Sequence, residues 1–201
     1  MSSESRTASG RLIVLSGPSG VGKDTVLREL FSIEPSLHYS VSYTTRPRRR
    51  DETDGVAYTF VDDAEFDRMI ERGAFLEWAN IYGYRYGTSE QRVRDALARA
   101  EDLILKIDVQ GASSVRQRME DDAVLIFLLP PSLEELRKRL SERDTEDAED
   151  LERRWVTAVA ELAERDKYDH QVVNDDVRRA ASEIRQIIEA DRAQRGVGVS
   201  R

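Results

Sequence analysis

Apolar residues in this chain fall into two kinds of run. Leu12-Ile-Val-Leu15, Leu103-Ile-Leu-Lys-Ile107 and Ala123-Val-Leu-Ile-Phe-Leu-Leu129 are short, continuous and rich in branched side chains. That is the pattern of strands buried on both faces, and Gln171-Val-Val-Asn174 is a shorter example near the end. Between them the spacing changes to that of helices. Val26, Leu27, Leu30 and Phe31 share a stripe over 24–31, and Phe66, Met69 and Ile70 share one over 63–71, with Gly73 just past its end. Ser89 starts a helix carrying Val93, Leu97 and Ala100, a short helix is expected around Gly111 to Met119, and Ser132 opens one through Leu133, Leu136 and Leu140. A long Arg/Glu-rich helix is expected over 147–165 and a last one from Val177 to about Arg192.

Strands alternating with helices at both ends predict an α/β fold with a parallel sheet. The alternation breaks between 37 and 88, where Ser/Thr/Tyr alternation and the aromatic segments Phe75-Leu-Glu-Trp78 and Ile81-Tyr-Gly-Tyr-Arg-Tyr86 read as an inserted β-rich subdomain. A charged helical insert follows at 132–163. The expected organisation is a core of 11–36, 89–131 and 164–193, those two inserts, and flexible tails at 1–10 and 194–201.

Composition narrows the chemistry. The 201 residues carry a formal charge of -8, which excludes a uniformly basic nucleic-acid coat, and the absence of cysteine excludes disulfides and thiolate metal sites. His38 and His170 are too few for a histidine-rich metal centre. No run approaches the roughly 20 apolar residues of a membrane span, and Met1–Gly10 lacks a signal-peptide pattern, so a cytoplasmic location is expected. Lysine occurs only at 23, 106, 138 and 167 among the 31 basic residues, which makes the placing of Lys23 more informative.

Gly17-Pro18-Ser19-Gly20-Val21-Gly22-Lys23 follows a predicted strand and precedes a predicted helix, the context of a phosphate-binding loop. Glycines let successive N–H groups face one anion, the helix start adds its positive end, and Lys23 supplies a mobile cation. The usual motif continues with Ser or Thr; here Asp24 comes next and Thr25 one later. A step of one residue turns a helical side chain by about 100°, so Thr25 does not simply replace the hydroxyl. Asp24 is a candidate Mg²⁺ ligand, directly or through water, with helix capping as the alternative. Arg46, Arg48, Arg49 and Arg50 lie within five positions, a crowding that calls for an anion. Acidic Asp51, Glu52 and Asp54 follow at once, which favours a single phosphate over a polyanion track.

Taken together, the loop, Ser42-x-Thr44-Thr45-Arg46, Gly55-x-x-Tyr58-x-Phe60, Phe75-Leu-Glu77-Trp78, Tyr86-Gly-Thr88, Ile107-Asp108-Val-Gln-Gly111 and Val173-Asn-Asp-Asp176 resemble guanylate kinases in order and spacing, over about 11–190. The resemblance implies a three-layer core with the loop, an inserted GMP-binding subdomain and a helical lid. It implies transfer of the ATP γ-phosphoryl group to GMP with Mg²⁺, in purine nucleotide metabolism, by a monomer or small homo-oligomer. Arg46 and Arg49 match the pair that clamps the GMP phosphate, with Tyr58 and Tyr86 adding hydroxyls. Glu77 matches the carboxylate that reads guanine: N1–H and N2–H₂ are adjacent donors that one carboxylate can accept together, whereas adenine presents an acceptor at N1. Ser42 and Thr88 match neighbouring contacts to the base, and Asp108 an acidic residue near nucleotide and Mg²⁺. Arg139, Arg143 and Arg154 match lid arginines, and Asn174 a residue near adenine. The plainer alternatives are surface pairing for the arginines and core packing for Tyr58, Tyr86 and Trp78, the last expected in the core of the small sheet. Lys106 departs from the pattern, since many relatives carry an acidic residue there. Strand geometry puts 106 and 108 on the same side, so pairing of Lys106 with Asp108 is expected.

A phosphorylated-sugar kinase of the same fold has no use for Ser42, Glu77 and Thr88. A non-catalytic binding module typically lacks the loop lysine and lid arginines.

Overall fold

The structure, a computed structural model, describes residues 10–56, 58–81, 83–142 and 148–197. Its centre is strand β1 (Leu12–Ser16), every residue of which is buried. Two sets of side chains explain why. Ile13 and Leu15 pack with Val26, Leu27 and Leu30 of helix α1 (Lys23–Ile33) and with Ala180, Ala181, Ile184 and Ile188 of the last helix. Leu12 and Val14 pack on the other face against Val93, Ala96, Ala112 and Val115. Because both faces of β1 are covered by helices, alternation in polarity is absent and the run is continuously apolar. Truncating Leu15 or Ile126 here to alanine costs about 2–5 kcal/mol by loss of buried surface and cavity formation.

The remaining elements follow in chain order: β2 (His38–Tyr39), β3 (Tyr43–Thr44), β4 (Thr59–Phe60), α2 (Asp63–Glu71), β5 (Phe75–Ile81), β6 (Tyr84–Ser89) and α3 (Glu90–Ala98). After these come β7 (Leu103–Lys106), α4 (Val109–Met119), β8 (Ala123–Leu129), α5 (Leu133–Ser141), α6 (Ala148–Leu162), β9 (His170–Val173) and α7 (Val177–Val197). The main sheet is parallel, in the order β2-β7-β1-β8-β9. Helices on both faces make the core α/β in three layers. A second sheet, β4-β3-β6-β5, is formed by the β-rich insert.

Differences from the sequence reading are local. The insert was expected from residue 37, but His38 and Tyr39 pair with Leu103 and Ile104 at the edge of the main sheet. A two-residue edge strand carries too little pattern to show which sheet it joins. Within the β-rich insert, the strand after the arginine cluster is short, Thr59–Phe60, and Val56 before it is exposed. Helix α7 runs five residues past its expected end. Positions 1–9, Arg143 and 198–201 lie outside the described residues. No described helix is long and apolar enough to cross a membrane.

Side-chain caps fix several of the helix starts. Asp62, Ser89 and Ser132 each accept the amide three residues on, from Glu65, Arg92 and Glu135. The carboxyl ends of β1 and β7 open beside one another. In open parallel sheets this end is where ligands bind.

Candidate active site

The turn after β1 is built for close backbone approach. Gly17 has φ +141°, and a Cβ there would stand 2.4 Å from the Leu128 carbonyl oxygen of β8. Gly22 has φ +99° and precedes α1 without any side-chain cap, leaving the first amides of that helix for another acceptor. Asp24 is therefore not a capping residue; it stands in the first turn of α1. Asn174, buried, donates its side-chain amide to the Val21 carbonyl at 2.8 Å, and Arg139 reaches the same carbonyl at 3.3 Å. Both brace the loop from beneath; Arg139 also pairs with Glu135 and touches the Asn174 carbonyl.

Lys23 folds back over its own loop, donating to Gly17 O at 2.5 Å and Pro18 O at 3.1 Å. Desolvation, only partly opposed by the field of Glu161, pulls its ammonium down to about 8. The amide of Ser19 donates to Glu161 Oε2 at 3.0 Å, which brings α6 onto the loop. Burial holds the Glu161 carboxyl above its ordinary range. Glu161 is a residue that sequence reasoning missed. Its signal was spacing: it lies seven residues, two helical turns, after Arg154, and so on the same side of α6. Arg154 itself is half-buried there.

The small sheet supplies the opposing wall. In β5 the pairing moves from Phe75↔Ser89 to Glu77↔Thr88, so Leu76 is an extra residue. This bulge leaves Phe75, Leu76 and Glu77 all buried and sets Glu77 opposite Thr88. The Thr88 hydroxyl donates to Glu77 Oε1 at 2.5 Å. The other oxygen lies against Gly111, where a Cβ would come within 2.6 Å. Burial raises the Glu77 carboxyl to about 7, against the hydrogen bond from Thr88 and with a contribution from the Asp108 charge. Trp78 points the other way and is 45% exposed, its ring meeting Phe66 edge-on. The expected core position is therefore corrected: alternation places 78 on the face opposite Glu77 and Ala79.

Ser42 and Thr88 are buried, and the rings of Tyr58 and Tyr86 meet at 5.7 Å. The Arg46 guanidinium lies 5.5 Å over Tyr58 and is paired with Glu52 at 2.6 Å. Arg49 is exposed, with its backbone amide on Glu52 Oε2. Asp108 caps α4 by accepting the Gly111 amide at 2.8 Å, and burial raises its carboxyl. That engagement corrects the expected pairing of Lys106: with Asp108 turned to α4, Lys106 Nζ donates instead to Asp24 Oδ1 at 2.5 Å. Thr25 is exposed, beyond the loop.

A cleft of about 520 Å³ brings part of this set together; Asp24, Arg49, Thr88, Arg139 and Asn174 do not line it. Ser19 and Lys23 line it from the loop, Asp108 from the end of β7, Ser42, Tyr58, Glu77 and Tyr86 from the small sheet, and Thr157 and Glu161 from α6. Arg46 meets it through Tyr58. The glycine turn and a buried carboxylate thus face one space.

The guanylate kinase family model matches residues 9–191. The chain is 50% identical to a guanylate kinase of Thermobifida fusca over 184 residues, 92% of this chain and 93% of that one. It is 47% identical to a guanylate kinase of Symbiobacterium thermophilum over 185 residues, 92% and 87% of the two chains. The crystal structure of guanylate kinase from Anaplasma phagocytophilum superposes with a TM-score of 0.77 at 34% identity, covering 92% of this chain and 87% of that one. Similarity of this extent runs through the loop, the small sheet and α6 alike, and the chain belongs to the guanylate kinase family.

Proposed function

We propose that this chain transfers the γ-phosphoryl group of ATP to GMP, giving ADP and GDP, with the donor on the glycine loop and the acceptor against the small sheet. The observation that carries this reading is buried Glu77, bonded to Thr88, in the same cleft as Lys23. A carboxylate at the closed end of a cleft, with its threonine partner fixed behind it, is matched to two adjacent N–H donors of a guanine edge. Burying it without a ligand is unfavourable, as its raised proton affinity reflects.

The acceptor oxygen is already anionic, so no strong general base is needed and catalysis rests on positioning and charge neutralisation. Lys23 leaves the Gly17 and Pro18 carbonyls to meet the donor phosphates, together with loop amides from Ser19 onward. Arg46 and Arg49 hold the acceptor phosphate, exchanging Glu52 for it, while Tyr58 and Tyr86 add hydroxyls. Ser42 and Thr88 bound the base. Arg139, Arg143 and Arg154 stabilise charge on the transferred group, and the small-sheet insert and the helical insert close on the core to exclude water.

Mg²⁺ fits the donor set. Among the described residues no group of three or more His, Cys, Asp or Glu side chains is arranged to hold a metal. Asp24 and Asp108 are hard oxygen donors whose charges both act on Lys23, which suits an ion that keeps most of its shell from water and phosphate. When bound, the ion neutralises phosphate charge; Asp24 and Asp108 would hold it, directly or through water.

Steady-state ADP release with GMP, AMP, dGMP and CMP side by side tests the reading. Turnover with GMP exceeding that with AMP and CMP by at least about a hundredfold is expected; equal turnover with all four would overturn it.

A further inference from the structure

Lys106 closes β7 at the mouth of the cleft, and the machinery above makes no use of it. Its side chain is only 19% exposed, and it lines the cleft with Lys23, Tyr58 and Glu77. Nζ donates to Asp24 Oδ1 at 2.5 Å, a partner on the donor side that is itself 61% exposed. The same ammonium lies 5.8 Å from the centre of the Tyr58 ring, on the acceptor side. That ring also carries the Arg46 guanidinium at 5.5 Å. Two cations from different elements therefore share one aromatic platform, and one of them is tied to the residue that follows Lys23.

Packing alone does not ask for a lysine at the end of this strand. An ammonium has three donors and Asp24 takes one. A half-buried cation is costly unless an anion compensates it, and Asp24 does so through a single close hydrogen bond, keeping the ammonium charged while it occupies one of the three donors. The arrangement is that of a cation kept extended by a counter-ion and turned toward an incoming anion. We propose, resting on the reading of the cleft as an ATP:GMP site, that Lys106 binds the phosphate of the acceptor nucleotide from the side opposite Arg46. Before the donor and its ion bind, Asp24 serves as its tether, keeping the ammonium from collapsing onto buried Glu77 or Asp108.

Calorimetric titration of GMP and of guanosine, without ATP or divalent metal, tests this on wild type, Lys106→Met and Lys106→Arg. Guanosine has the base and lacks the phosphate. Lys106→Met is expected to weaken GMP binding about tenfold, the size of one charge-assisted contact, and to leave guanosine binding within twofold of wild type. Lys106→Arg is expected to recover most of the lost GMP affinity. Unchanged GMP affinity in Lys106→Met, or an equal loss for GMP and guanosine, overturns the proposal, the second result marking Lys106 as structural. Failure of wild type to bind either ligand instead overturns the reading of the acceptor site.

Discussion

Glu161 Oε2 accepts the Ser19 amide at 3.0 Å, so a carboxylate from α6 occupies a donor of the phosphate loop. Its charge also acts on Lys23, whose own ammonium is turned onto loop carbonyls. A triphosphate seated on the loop as proposed would have to displace this carboxylate and would be repelled by it. Glu161→Gln keeps the size and removes the charge. ATP affinity, measured by calorimetry, is expected to rise about fivefold, equivalent to ~1 kcal/mol of relieved repulsion. Weaker ATP binding in the variant would show that the carboxylate assists the donor instead.

The two substrates are expected to titrate with opposite limbs. In the proposed role Glu77 has to be ionised to accept two N–H groups, and its carboxyl is raised to about 7. Guanosine affinity should therefore fall as pH drops below 7, by up to about tenfold per unit, and guanosine avoids the titration of a phosphate. Lys23 must be charged to meet phosphates and sits at about 8. ATP affinity should accordingly fall as pH rises above 8. Binding isotherms between pH 5.5 and 9.5 check both; a flat guanosine profile contradicts the role of Glu77.

Ionising Glu77 also costs stability. Its folded carboxyl is raised above the ordinary value of 4.5, so the folded state holds the proton more tightly than the unfolded chain. Stability contributed by the protonated form is present below about 4.5 and lost as pH rises to about 7. Glu77→Gln should thus be more stable than wild type at pH 8, by about 3 kcal/mol, and melt higher, with the difference shrinking toward pH 5. Thermal denaturation at the two pH values measures it.

Gly111 has a role that its side chain alone conceals. A Cβ there would stand 2.6 Å from Glu77 Oε2 and 3.2 Å from Asp108 Oδ1. Gly111→Ala is expected to push the carboxylate off its position and raise KM for GMP about tenfold or more, with KM for ATP little changed. Steady-state kinetics with each substrate varied separately decide; equal changes in both would point to a general loss of structure.

Much of this was legible because local physics acts on adjacent residues. The glycine loop needs its spacing, and the strand before it needs branched apolar residues, so both show in sequence. Asp62, Ser89 and Ser132 mark helix starts through bonds spanning three residues. Relationships across the fold were hidden. The partner of Lys106 is 82 positions away, and strand periodicity pointed to Asp108, which α4 had already engaged. The Glu161–Ser19 contact spans 142 positions and depends on how α6 lies over the loop. Trp78 lies outside the core because an aromatic residue beside a bulge satisfies core and surface patterns equally well, and only the register decides between them. Asn174, identified through the resemblance, sits in the structure with its amide holding the Val21 carbonyl.

The base reader gives the most direct test. With GMP and AMP as alternative acceptors at saturating ATP, kcat/KM for wild type and Glu77→Gln gives a preference for each. Wild type should favour GMP by at least about a hundredfold, and the variant should lose most of that ratio, chiefly by a fall in its GMP value. A variant that keeps the wild-type ratio contradicts the assignment of this cleft.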